Sequence, residues 1–172
     1  MPFTPLHMGP GMAVKAIAGE RFSLTMFGVA QIAMDIEPLV GIIRGSPELH
    51  GWTHTYVAAT LIGAAVLLLA RPLCVRIVRW WNAELRRHRL DRLASSDGIG
   101  WGAAAAGVFI GTWSHVALDS IMHLDMAPLR PFAAGNRLLL ATDVDSLYLA
   151  CLAAGVAGLA WWIASAYLRR RL

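Results

Sequence analysis

The chain has 172 residues, of which 57% are hydrophobic and only 15% charged, with a mean hydropathy of +0.55 and a formal net charge of +4. A soluble domain has about 45–50% apolar and about 25% charged residues, so this composition excludes an ordinary soluble globule. The positive charge requires no nucleic acid: fourteen of the fifteen basic residues are Arg, seven of them between Arg71 and Arg92 and three at Arg169, Arg170 and Arg171, the clustering of positive-inside membrane flanks.

A spanning helix needs about 20 mostly apolar residues. In chain order, residues 8–18 are apolar but short, which predicts a half-depth or tilted membrane helix. Residues 22–43, 53–73, 99–122 and 145–168 are each long enough to cross. The fold class expected is therefore all-α: a polytopic helical membrane protein with four long transmembrane helices plus a short N-terminal membrane helix, in one domain over residues 1–172. The last two long segments are rich in Ala and Gly, which suits close helix packing in lipid. "RGSPELHG", "ASSDG" and "MAPLRPFAAGN" mark loops. Residues 71–92 are expected to be a cytoplasmic loop, with an amphipathic surface helix as the less favoured reading. Trp52, Trp80, Trp81 and Trp101 fall near the predicted interfaces, as an aromatic belt does. Cys74 and Cys151 lack ligand spacing and are assigned to packing without a disulfide. The first residues lack the pattern of a cleaved signal peptide and are expected to stay attached.

The polar residues of the apolar segments collect at one depth. Asp35 and Glu37 lie in the outer third of the first long segment. His50 and His54 lie in and just after the following loop, and His115, Asp119 and His123 in the outer half of the third long segment. The last three are four residues apart, about one helical turn, so they share a face. An ionisable group at membrane depth costs about 2.5–3.5 kcal/mol even on the mild insertion scale. These groups must therefore meet one another, water or a cation. His and carboxylate together suit Zn²⁺ and related divalent ions. His7 reaches the same level if the N-terminus is outside and five segments alternate. His88 lies among the Arg residues and is read as solvated surface. Asp125, Asp143 and Asp145 are expected to include a helix N-cap, with Asp143 or Asp145 suiting the last helix.

At these residues the sequence resembles the bacterial membrane-bound, metal-dependent hydrolases that are described as relatives of zinc-dependent phospholipase C. The resemblance rests on "PLH" with His7, "MDIE" with Asp35, "HGWTHT" with His54, "GTWSHVALD" with His115 and Asp119, and "APLRPF", from residue 1 to about 132. Met34 stands where the family pattern has Pro, Glu37 where it has a second Asp, and His50 where it has Arg. The resemblance implies a divalent-metal hydrolase.

The resulting expectation is a membrane-embedded hydrolase of a lipid-borne phosphoester or related ester, in the bacterial inner membrane with its site toward the periplasmic side. His7, Asp35, His54, His115 and Asp119 are the expected metal ligands. Glu37, His50 and His123 are the expected catalytic groups, as general base or as ligand-orienting residues. Zinc is the expected metal, with manganese or iron as alternatives, in one or two ions that polarise the ester and activate water. The expected partner is a membrane lipid, with no nucleic acid. The alternative is a non-catalytic metal-binding membrane protein or a subunit of a membrane complex. A transporter is disfavoured, because it needs polar groups on both sides of the midplane. Cysteine labelling from either side of the membrane tests the orientation: a label at Arg86→Cys should react only from the cytoplasm, and one at position 48 only from outside.

Overall fold

The structure is a computed structural model that describes residues 5–168. The Arg169–171 flank lies outside the described residues. Among these, every regular element is helical. The main helices are α1 (Met8–Ala18), α2 (Leu24–Met34), α3 (Ile36–Arg44), α4 (Tyr56–Arg87), α5 (Trp101–Met122) and α6 (Val144–Leu168).

Three helices are long and apolar enough to cross a membrane: Leu24–Arg44, Tyr56–Arg87 and Val144–Leu168. Four long spans were expected. The helix that falls short is α5, whose polar residues lower its hydropathy. Those residues face inward. The buried positions of α5 are Ala104, Gly107, Val108, Gly111, Thr112, His115, Val116, Asp119 and Ser120, a continuous stripe at three- and four-residue spacing. Its first half is small and apolar, and its second half is polar. It packs between α2 and α4, while α1 packs chiefly on α6.

Residues 24–44 form two helices rather than one. Proline has no N–H, and its ring clashes with the carbonyl four residues back. Pro38 therefore leaves the Met34 carbonyl without its helical partner, and the chain turns at Asp35, between α2 and α3. Ser23 caps α2 by accepting from Met26 N–H, and Thr55 caps α4 by accepting from Ala58 N–H. Asp143 caps α6 by accepting from Ser146 N–H at 2.8 Å, as expected for that residue.

The expected loop over residues 71–92 is mostly helix. The 32-residue α4 runs through Pro72 to Arg87. After Pro72 the segment contains no further Pro or Gly, so nothing in it stops a helix. At about 1.5 Å per residue α4 is roughly 48 Å long, which exceeds the roughly 30 Å hydrocarbon core and carries the Arg-rich turns beyond it. The turn to α5 is tied to those last turns. Arg71 donates to Ile99 O at 2.6 and 2.9 Å, and buried Asn82 donates to Ser95 O at 2.9 Å and to Asp97 Oδ1 at 2.7 Å. The Asn82 hydrogen bond, with Arg86 beside it, holds the Asp97 carboxyl below its usual range.

The helices approach closely where they carry small residues. On α6, a Cβ at Gly158 would lie 2.7 Å from Ala13 N. On α5, a Cβ at Gly111 would meet the Ala30 Cβ at 2.9 Å and the Phe27 carbonyl oxygen at 3.1 Å. Both neighbours belong to the α2 backbone region and cannot swing aside. Gly111→Val should therefore destabilise the detergent-solubilised protein by about 1–3 kcal/mol, read as a lowered Tm. Gly102→Ala, also on α5 but where a Cβ meets open space, should not lower Tm.

Candidate metal centre

Each candidate residue reaches the centre from a helix end or from the break between two helices. His7 closes the short turn before α1. Asp35 sits at the Pro38-induced break, His54 precedes α4, and His115 and Asp119 occupy the last two turns of α5. The five lie at one end of the bundle, opposite the Arg-rich turns. Five of the chain's six histidines gather here, and only His88 stays outside.

Asp119 is the hub. Its Oδ2 stands 3.0 Å from His115 Nε2 and 3.5 Å from His54 Nε2. Its Oδ1 stands 3.9 Å from His7 Nε2 and 4.0 Å from His123 Nε2. His115 Nε2 is also 3.6 Å from Asp35 Oδ1. His7, His54, His115 and Asp119 are all at least 96% buried. Most of these separations exceed a good N–H···O bond of about 2.7–3.2 Å. Two donors that share one tetrahedral ion, each at about 2.1 Å, stand roughly 3.4 Å apart. The spacing therefore fits donors arranged around an ion better than donors bonded to each other.

The outer nitrogens support this geometry. His115 Nδ1 is 2.6 Å from Gln31 Oε1, and Gln31 is itself anchored by donating to Gly111 O at 3.2 Å. His54 Nδ1 lies 3.5 Å from Glu37 Oε2 and 3.0 Å from Thr53 Oγ1. Glu37 accepts from the Thr53 hydroxyl and, at 3.2 Å, from Thr53 N–H. His50 Nδ1 is 2.9 Å from Asp125 Oδ1. An acceptor at Nδ1 fixes the ring and its tautomer and leaves Nε2 as the free donor atom, the arrangement that metal-ligating histidines use. The Nε2 atoms of His7, His54 and His115 are buried with no aligned hydrogen-bond partner among the described residues. Such buried polar atoms are costly unless something else satisfies them. Buried His and Asp groups here could hold a metal ion: His7, His115 and Asp119 form one set with ligand atoms within 4.8 Å of one another, and His50, His54 and Asp119 form another.

All eight expected site residues come together, but not in equivalent places. Glu37 lies behind His54, where it orients the ring. His123 is partly exposed and stacks on His50, with ring centroids 4.0 Å apart. Two contributors escape the sequence reading. Gln31 lies one turn before Asp35 on α2, and only that spacing points to it. Asp125 caps no helix. It accepts from the N–H groups of Leu49 and His50, both at 3.0 Å, and from the His50 ring. Partial burial pushes its carboxyl up, but these bonds outweigh that and hold it down at about 2.

A groove of about 620 Å³ opens at the other end of the bundle, between α1, α2, α4 and α6, and none of the candidate ligands lines it. No family model, curated protein or solved structure matches the chain. The hydrolase resemblance accordingly rests on the motifs quoted above.

Gln31→Leu removes the acceptor at His115 Nδ1 while keeping much of the volume. It should weaken metal binding by about 10–100-fold, measured by titrating metal-stripped protein. His88→Ala, remote from the cluster, should leave the titration unchanged.

Proposed function

We propose that the protein is a membrane-embedded, divalent-metal-dependent hydrolase of a lipid-borne phosphoester or related ester. The observation that carries this reading is the convergence of His7, His54 and His115 Nε2 with Asp119 and Asp35 at separations of 3.0–3.9 Å, in a site sealed on its helical sides. Zinc suits a His-rich, carboxylate-containing set, and manganese or iron are the alternatives. When bound, such an ion polarises the ester oxygen and makes water a better nucleophile at neutral pH.

The chain's own residues divide the remaining work. His7, Asp35, His54, His115 and Asp119 hold the ion. Gln31, Glu37 and Asp125 fix the rings of His115, His54 and His50. His123, partly exposed and 4.0 Å from Asp119, is placed to take a proton from water at Nε2 at the mouth of the site.

Membrane placement follows from the same end-to-end asymmetry. The three spanning candidates carry exposed apolar side chains such as Leu61, Leu68 and Leu69 on α4 and Leu149, Leu152 and Val156 on α6, which face lipid in this reading. The finer topology is four long spans and a short N-terminal one. In it α5 crosses as an inner helix, its polar stripe screened by α2 and α4. The Arg-rich end of α4 is cytoplasmic by the positive-inside bias, so the metal end faces the periplasmic side of a bacterial inner membrane. A site at that depth suits a substrate whose head group reaches the ion while its tails stay in lipid.

The alternative is a metal-binding membrane protein without hydrolysis. The near-complete burial of His54 and His115 favours it, because substrate must enter past His123. Assays of metal-loaded protein on phospholipids and lipid-linked phosphates separate the two. Release of head group or phosphate should stop with a chelator and return with added divalent ion. Asp119→Asn keeps the shape and removes the charge, so it should cost more than the roughly 100-fold upper range of an outer-shell change. Turnover that survives both treatments rules out the mechanism, and bound metal with no turnover on any ester favours the binding protein.

A further inference from the structure

Of three sets of potential ligands, two share only one residue, Asp119, and the third joins His50 to His123 and Asp125. His7 and His115 gather with Asp119 on one flank, and His50 and His54 gather with it on the other. The carboxylate lies between the flanks: its Oδ2 stands 3.0 Å from His115 on one and 3.5 Å from His54 on the other, while Oδ1 stands 3.9 Å from His7 and 4.0 Å from His123. A single tetrahedral ion accepts four donors. Here five imidazoles and two inward carboxylates, Asp35 and Asp119, compete for it, which is more than one ion of that kind can take.

We infer that the site holds two divalent cations bridged by the Asp119 carboxylate, one held by His7, His115 and Asp35 and the other by His54 and His50. This rests on the metal-site reading above and adds to it the count, the bridge and a new role for His50. The hydrogen bond from His50 Nδ1 to Asp125 turns Nε2 into the donor atom, so His50 is a ligand rather than a general base. His123, stacked on His50, remains at the mouth of the second position. Two such ions, when bound, would supply charge stabilisation to both the attacking and the leaving oxygen, which fits a phosphoester better than a carboxylic ester.

The test loads the full chain, purified in detergent and stripped with chelator, with manganese alone. The expected result is two ions per chain by elemental analysis, with the exchange-coupled paramagnetic resonance signal of a bridged pair. His7→Gln and His50→Gln should each halve the manganese content and abolish the coupling, and Asp119→Ala should abolish the coupling. One ion per chain in the unmutated protein, two ions without coupling, or two coupled ions in His50→Gln each overturn the inference. The unmutated chain carries the test by itself, so a variant that fails to fold does not decide it. Two coupled ions without turnover on any ester would remove the hydrolase reading and leave the paired site. Turnover with one ion per chain would do the reverse.

Discussion

A carboxylate buried in an apolar bundle is the constraint around which this protein is arranged. Asp119 is 4% exposed and lies on a helix whose neighbours are helices, with little water to solvate it. Its nearest partners are histidines, and a neutral imidazole brings no compensating charge. Protonating several of them so close together would replace one electrostatic problem with another. A divalent cation would remove both at once, because it would neutralise the carboxylate and take the lone pairs of the surrounding Nε2 atoms.

That constraint accounts for local features that look irregular one at a time. Asp35 sits at the break between α2 and α3 and is buried there, 3.6 Å from His115 Nε2. The turn over Trp52–His54 sets His54 just before α4 begins, so its backbone does not have to satisfy a helical hydrogen-bond ladder. The outer nitrogens are held by a different residue type at each ring: an amide at His115, Glu37 with Thr53 at His54, and Asp125 at His50. At these three rings the varied supports meet one requirement, that Nδ1 be held so that Nε2 is left free. At the far end the Asn82–Asp97–Arg86 cluster ties the last turns of α4 to the turn that leads into α5, the helix that carries His115 and Asp119.

The centre of the site was legible because helical spacing is a strong signal. His115, Asp119 and His123 at four-residue intervals in an apolar segment have few other uses, and the common depth of Asp35, His54 and His7 follows from counting turns. The supporting residues were not legible. Gln31 is unremarkable in a sequence until its amide is seen 2.6 Å from His115, and Asp125 reaches His50 across a separation of 75 residues that no local pattern encodes. The length of α4 is not legible from its Arg residues, because they signal topology and leave chain conformation open. Arg is a good helix former, so a charged flank continues a helix as readily as it ends one.

The shortfall of α5 against a simple count of apolar spans has the same origin as the site. Thr112, Ser114, His115, Asp119 and Ser120 lower its hydropathy, and four of these five are buried. A helix like this would be a poor solitary span, since its polar stripe would face lipid. It becomes acceptable at membrane depth only after α2 and α4 cover that stripe, and the small residues Gly107 and Gly111 allow α2 to approach closely enough to do so. The helix that best serves chemistry is thus the one that depends most on its neighbours. Close packing through glycine and the inward His115 and Asp119 are two ends of one stripe on one helix, so a change that loosens the first also disturbs the second.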